Sequence, residues 1–597
     1  MIRTPLRPLA RILTARARGE NPDAIERENI RRRHEEMQAR DRARAEGRLV
    51  VLGLFFLAGF VTIGLRMAHL SMSEPEEPVA ANRSHGITMQ RADIVDRNGH
   101  VLATNLETFA LYAQPPQMVD PIAAAKQLKN IFPDLEEERL IRDFTGKRKF
   151  VWIKKRISPE QKQAVHDIGD PGLLFGPREM RLYPNGRLAA HVLGGATFGK
   201  EGVNAAEVIG VAGVEKTFDG FLRDPANEGR PLQLSIDLSV QDAAERVLEG
   251  GMRIMNARGA TAILMDVRTG EVLSLVSLPD FDPNDRPRPA VSGDPSDSPL
   301  FNRAVQGVYE LGSTFKIFTA AQAVDLGLVN PDTPIDTRRP LIQSGHEIGE
   351  FRNKNYGPTL TLAKVIEKSS NVGTARVAQM IGVERQKQFL RDLGLFDPTG
   401  IELVEARSGR PLLPRQWHEL EMMTISYGHG MSTTPMNLAA AYATIANGGH
   451  VVSPTILKQT EPQLGPRVMS ERTAAAARAM LRQVVAGEDG TASFAEVPGY
   501  EVAGKTGTAD KPNPKGGYYK DKVIATFASM FPASDPKYVL VVTLDEPSIH
   551  AAGRVRRSAG WTAAPVAAEL IARVAPLLGL RPRVEPGQRA GITLTSN

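Results

Sequence analysis

From Leu49 to Leu65 the chain runs LVVLGLFFLAGFVTIGL, 17 residues without a charge, bracketed by Arg48 and Arg66. A helix packed on a soluble core normally keeps a polar face, whereas this run is interrupted only by Gly and Thr. Its length is at the lower limit for crossing a bilayer, so one transmembrane helix is predicted over 49–68. Ser73 to Pro78 (SEPEEP) then reads as a short polar linker. Strand-like alternation follows at Ile94 to Val101 and Phe109 to Ala113. Asp96-Arg97-Asn98-Gly99 marks a hairpin turn, because Asn and Gly both tolerate positive φ.

The pattern becomes more regular from about Pro231. It predicts a strand at Leu232 to Ile236, a helix through Val240 to Met255, and a hairpin in which Ala262 to Asp266 and Val272 to Leu278 flank Thr269-Gly270. Helical spacing dominates from Ser313 to about Ala446. Three successive strands, Glu501 to Thr508, Val523 to Phe531 and Tyr538 to Leu544, precede a helix through Ala563 to Leu578. Strands at both ends of a helical middle imply an α+β domain built on one mixed or antiparallel sheet.

Composition narrows the function classes. The net charge of +6 would suit a nucleic-acid binder, but residues 1–48 hold thirteen Arg against eight acidic residues and account for +5 of it. A basic nucleic-acid surface downstream is therefore not expected. The Arg-rich stretch instead orients the span, with the N-terminus in the cytoplasm and the long remainder outside the cytoplasmic membrane. The apolar run is too long for a signal-peptide core and no A-x-A site follows it, so it is read as a retained anchor. The chain has no Cys, which excludes disulfides and thiol chemistry, and its His residues lack ligand spacing. No metal and no cofactor are expected.

Three short strings carry chemistry: Ser313-Thr314-Phe315-Lys316, Ser369-Ser370-Asn371 and Lys505-Thr506-Gly507. Ser313 opens a stretch with Ile317, Phe318, Ala321 and Val324 spaced like a buried helix face, which places it at a helix N-terminus with the Lys316 amine on the same side. A lysine of ordinary pKa is neutral in roughly one molecule in 2,500 at pH 7, so Lys316 needs burial and a second cation, Lys505, to become a base for Ser313. Ser369 and Asn371 are expected in a loop between helices, offering a hydroxyl and an amide to the nucleophile, with Ser370 pointing away and packing. A pair of this kind alone usually caps a helix. On a strand, Lys505 and Gly507 share one face and Thr506 and Thr508 the other. The backbone N–H groups of Ser313 and Thr508 are the expected oxyanion hole. Two imitations show how weak each string is by itself. Ser534-Asp535-Pro536-Lys537 has a Pro that favours a turn, and Arg268-Thr269-Gly270 sits at a hairpin tip.

With Glu310-Leu311-Gly312 before Ser313 and Gly504 to Ala509 around the third string, the set resembles the penicillin-binding protein and serine β-lactamase superfamily. Arg91 to Gly99 (RADIVDRNG), Arg181 to Gly194 and Gly210 to Phe218 look like the pedestal domain of its class B members. Ala92 and Leu311 stand where that family usually has Gly and often Pro. After the Arg-rich tail over 1–48 and the anchor over 49–68, the resemblance implies a β-rich pedestal (dimerisation-type) domain over 69–230 and a transpeptidase domain over 231–582, followed by a tail over 583–597. It implies a D,D-transpeptidase acting on peptidoglycan stem peptides, with Ser313, Lys316, Ser369, Asn371 and Lys505 catalytic and Thr506, Gly507 and Thr508 binding substrate. Lys505, Thr506 and Thr508 would contact the terminal carboxylate, and β-lactams would acylate the same serine. The strings around Ser369 to Gly373, Tyr427-Gly428-His429-Gly430 and the hairpin after Thr508 look more like the septal than the elongation branch, which implies division-complex partners; with no glycosyltransferase-like domain between anchor and pedestal, a separate glycosyltransferase is expected. An elongation enzyme, a carboxypeptidase or β-lactamase, and a non-catalytic division scaffold are the alternatives.

Overall fold

The structure, a computed structural model, describes residues 13–20, 22–72, 91–201, 206–227, 229–513 and 515–583. The polar linker at 73–78 and all of the C-terminal tail after residue 583 lie outside them. The N-terminal unit contains a helix from Pro22 to Met72. Its stretch Arg48–Ala68 is long and apolar enough to cross a membrane, with a mean hydropathy of 2.2. The helix thus starts well before the apolar run, in the Arg-rich tail.

The second unit begins with the β-rich pedestal. Val101–Ala113 is one long strand where only its end, Phe109 to Ala113, was expected, and it pairs antiparallel with both Leu173–Leu182 and Val151–Ile157. The turn at Asp96 to Gly99 forms as the N-G pair predicts, but only Gly99 takes a positive φ, +90°. Buried Asp96 closes it by accepting from the Asn98 and His100 amides.

The pedestal motifs meet on one buried carboxylate. Glu215 is fully buried and accepts from Arg91 Nε (2.7 Å), Arg181 Nε (2.6 Å) and the Tyr183 hydroxyl (3.2 Å). Arg91 also pairs with Asp219 at 2.8 Å. Each charge is hydrogen-bonded inside the fold, the condition under which buried ions are tolerated. Ala92 causes no strain, since its φ is not positive and its amide donates to Leu222 O.

The transpeptidase region is organised by an antiparallel five-stranded sheet: β1 (Gly259–Asp266), β2 (Val272–Leu278), β3 (Ala503–Pro512), β4 (Tyr518–Phe531) and β5 (Tyr538–Asp545), in the order β3-β4-β5-β1-β2. The expected strand at Leu232 to Ile236 shortens to Leu232–Gln233, which pairs parallel with Ile94–Val95 and ties the pedestal to this region. Helices Leu238–Ile254 and Ala563–Leu577 pack together against the sheet, and Val566 fills the space over Gly251. The helical middle comprises α1 (Lys316–Asp325), α2 (Leu362–Lys368), α3 (Asn371–Ile381), α4 (Val383–Asp392), α5 (Glu419–Ser426) and α6 (Pro435–Ala446). Both imitations fall in turns: Gly270 at the β1–β2 tip, with φ of +75°, and Ser534 to Lys537 between β4 and β5.

Replacing Glu215 by Leu strands two buried guanidinium groups. The expected cost is about 3–5 kcal/mol, read as an earlier unfolding transition of the pedestal in urea. An unchanged transition would mean that the Arg–Glu cluster does not hold the pedestal together.

Candidate functional site

Ser313 sits one step earlier than the helix periodicity predicts. Gly312–Phe315 forms a 3-10 turn, and the α-helix proper begins at Lys316. Backbone contact fixes the turn against the sheet edge. A Cβ on Gly507 would lie 2.1 Å from Leu311 O, and one on Gly428 would lie 1.9 Å from Gly312 O, so neither position accepts a side chain. Gly312 itself has φ of +55° and faces the Thr508 backbone. From behind, the Tyr442 hydroxyl donates to Thr314 O at 2.8 Å, and Phe315, Phe318 and Tyr442 stack edge to face. Leu311 enters the turn with φ of −96°, so no Pro is needed to form it.

Lys316 is fully buried and donates to Ser369 O (2.5 Å), Ser369 Oγ (3.1 Å) and Asn371 Oδ1 (2.7 Å). Those bonds use all three ammonium hydrogens. Lys505, also fully buried, donates to the same Ser369 Oγ at 3.0 Å and to Thr506 O at 3.1 Å. Ser369 Oγ is therefore the common acceptor of two buried amines. Its placement uses strained backbone: Ser369 ends α2 in the left-handed region, φ +62°, a conformation that costs a non-glycine residue about 1 kcal/mol or more.

Helix capping is also present, but on the residue between the two candidates. Ser370 Oγ accepts from Gly373 N at the start of α3, so Ser369 and Asn371 keep their side chains for Lys316. Ser370 does turn away from the amines, as expected, yet it meets a charge rather than apolar packing. Glu350 Oε1 accepts from Ser370 Oγ (2.5 Å) and Val372 N (3.1 Å), and Oε2 accepts from Asn371 N (2.7 Å). A buried carboxylate thus closes the positive end of α3 and fixes the string. Glu350 was missed because it stands in an irregular stretch, GEFRN, with no spacing relation to the three strings.

Burial lowers the Lys316 pKa to about 7, with the Glu350 charge pulling the other way. Lys505 is pushed well below the ordinary lysine range, first by burial and then by the Lys316 charge. The expected lowering of Lys316 by the Lys505 charge does not appear: burial alone depresses Lys316, and the like-charge effect falls on Lys505. The expected Lys316–Ser313 hydrogen bond is absent. Among the described residues Ser313 Oγ makes no hydrogen bond, and the amine is turned to Ser369 and Asn371 instead. An ammonium already holding three acceptors has nothing to accept a proton with, so contact with Ser313 requires the neutral amine.

On β3 the alternation holds. Lys505 and Gly507 face α1 and its preceding turn, while the Thr506 hydroxyl meets Thr491 Oγ1 at 2.9 Å and Thr508 Oγ1 accepts from Ala559 N at 3.0 Å. Thr508 keeps its O–H free to donate. Lys505 is fully buried, with its amine on Ser369 Oγ. No group of His, Asp or Glu among the described residues has the arrangement of a metal site.

The family described as "Penicillin binding protein transpeptidase domain" matches residues 260–572, and that described as "Penicillin-binding Protein dimerisation domain" matches residues 87–228. A probable peptidoglycan D,D-transpeptidase FtsI of Caulobacter vibrioides is 35% identical over 550 residues, 90% of this chain and 89% of that protein. The peptidoglycan D,D-transpeptidase FtsI of Escherichia coli is 30% identical, over 89% of this chain and 91% of its own length. The apo structure of the TP domain of Burkholderia pseudomallei penicillin-binding protein 3 superposes with a TM-score of 0.52 at 33% identity, covering 59% of this chain and 98% of that one.

Glu350→Ala leaves the Ser370 hydroxyl and two helix N-terminal amides without their acceptor. A loss of about 3 kcal/mol in urea unfolding is expected. Retention of wild-type stability would show that water or a neighbour replaces the carboxylate.

Proposed function

The chain belongs to the class B penicillin-binding proteins and is a peptidoglycan D,D-transpeptidase, and from that premise we propose that Ser313 is its acyl-transfer nucleophile and Lys316 the base. The supporting observation is the fully buried Lys316, three residues past Ser313, with a pKa near 7 and its amine bound to Ser369 and Asn371. Once neutral, Lys316 takes the Ser313 proton as Oγ attacks the penultimate D-Ala carbonyl. The Ser313 and Thr508 amides, brought together where Gly312 meets Thr508, receive the oxyanion. The proton returns to the departing D-Ala amine through Ser369 Oγ, which lies in reach of both lysines. Asn371 positions Lys316. The Thr508 hydroxyl, with Thr506 beside it and the Lys505 field behind, takes the terminal carboxylate. An amine from a second stem then resolves the ester.

The same reading places the enzyme in septal wall synthesis. The pedestal family, the extended similarity to the FtsI proteins and the YGHG string support it. The Arg-rich stretch before the apolar run supports a cytoplasmic N-terminus and a periplasmic transpeptidase domain. Division-complex proteins and a separate glycosyltransferase are the partners this role requires.

Mass spectrometry after penicillin treatment should find the adduct on Ser313 and none in Ser313→Ala; an adduct elsewhere overturns the assignment. Below pH 7 the acylation rate should fall about tenfold per unit, because the base must be neutral and protonation removes it, and above pH 8 it should level off. A flat profile from pH 5 to 8 would exclude Lys316 as the base. In cells depleted of the wild-type protein, Ser313→Ala should fail to restore division and leave filaments, whereas round cells would favour the elongation role.

A further inference from the structure

Three residues before Ser313, Glu310 is 7% exposed. Its Oε1 accepts from Gly430 N (2.8 Å) and from the Tyr518 hydroxyl (3.0 Å). Its Oε2 is buried and, among the described residues, has no hydrogen-bond partner. His429, adjacent to Gly430, has a buried Nδ1 that likewise makes no hydrogen bond among the described residues, though its ring lies near the Tyr427 backbone. The loop carrying this histidine is pressed on the nucleophile turn, with Gly312 N donating to Gly428 O at 3.2 Å. Asp510, exposed two residues beyond Thr508, adds a second carboxylate, and the charges of Glu310, Lys316 and Asp510 all act on the His429 ring.

Buried polar atoms are nearly always paired, so two orphans on the segments packed at the nucleophile turn call for a ligand. Its chemistry follows from theirs. Glu310 Oε2 can only accept, His429 Nδ1 accepts in the tautomer protonated at Nε2, and the surrounding carboxylates repel an anion. A primary ammonium has three N–H groups and a positive charge, which satisfies both atoms.

Resting on the assignment of Ser313 as nucleophile, we propose that Glu310 Oε2 and His429 Nδ1 form the subsite for the acceptor amine, the cationic group of the second stem that resolves the acyl-enzyme. The ammonium gives one proton to the Glu310 carboxylate and becomes a free amine. Its nitrogen attacks the ester carbonyl, forming the C–N bond as the C–Oγ bond of Ser313 breaks. Neutral Lys316 takes the second amine proton and passes it to Ser313 Oγ, and Glu310 later releases its proton to solvent. The donor carboxylate is thus taken by the Thr508 hydroxyl and the Lys505 field, and the acceptor ammonium by Glu310 and His429.

The test partitions one acyl-enzyme among three nucleophiles. The full-length protein is acylated by a thioester of an acyl-D-alanine in the presence of glycinamide, a cationic amine without a carboxylate, and of methanol, a neutral nucleophile. Glu310→Gln keeps the shape and one acceptor oxygen, and His429→Phe keeps a ring without nitrogen. Each should lower the ratio of amide to methyl ester about tenfold or more, the effect of losing a charge-assisted hydrogen bond. If both products fall together the residues only support the nucleophile turn, and if the ratio is unchanged the orphans hold water; either result overturns the subsite. A wild-type protein without the acyl adduct on Ser313 would instead sink the nucleophile assignment, leaving the two failures distinguishable.

Discussion

Two buried lysines share one serine hydroxyl, and much of the site is built to make that arrangement possible. Lys316 and Lys505 are each fully buried and each donate to Ser369 Oγ. Burial disfavours the charged form of both, and the Lys316 charge lowers Lys505 further. The fold keeps the pair by surrounding Lys316 with a carbonyl, a hydroxyl and an amide oxygen, and by placing the Glu350 carboxylate behind the string that supplies them. The outcome is an amine whose pKa lies near neutrality, where a proton acceptor is most useful.

Such a site needs backbones closer than side chains allow. Gly507 lies against Leu311 and Gly428 against Gly312, so the sheet edge, the nucleophile turn and the loop after α5 meet through main chain. Ser369 accepts left-handed backbone at the end of α2 for the same positional reason. The strain is held by capped helix ends, since Ser370 and Glu350 fix the start of α3 immediately afterwards. The pedestal solves a related problem by other means: Arg91 is buried on Glu215 and Asp219, with its remaining donors on the Val208 and Glu215 carbonyls.

Much of the architecture was legible because local patterns and the final structure agree. The β1–β2 hairpin, the three C-terminal strands and the last helix lie within a few residues of where alternation and helical spacing put them. Boundaries moved where long-range pairing extends or shortens a strand. Val101–Ala113 is lengthened by two partners, and the strand at Leu232 is cut to two residues because its continuation bridges Leu457 singly. The second Ser-x-x-Lys match illustrates the same rule, since its Pro kept it in a turn.

The chain by itself determined the reaction class. Ser313, Lys316, Ser369, Asn371, Lys505 and Thr508 carry groups whose chemistry is legible from residue type and order, and the apolar run and its Arg-rich flank are legible from composition. Only the tertiary structure decided which groups touch. It turned Lys316 to Ser369 and Asn371 rather than Ser313, gave the capping role to Ser370, brought in Glu350 from a stretch without any periodic signal, and joined the loop of His429 to Glu310 through the Gly430 amide. The physical reason is that periodicity reports which face of one element a residue occupies. Hydrogen bonding and burial depend on what another element, tens to hundreds of residues away, places opposite that face.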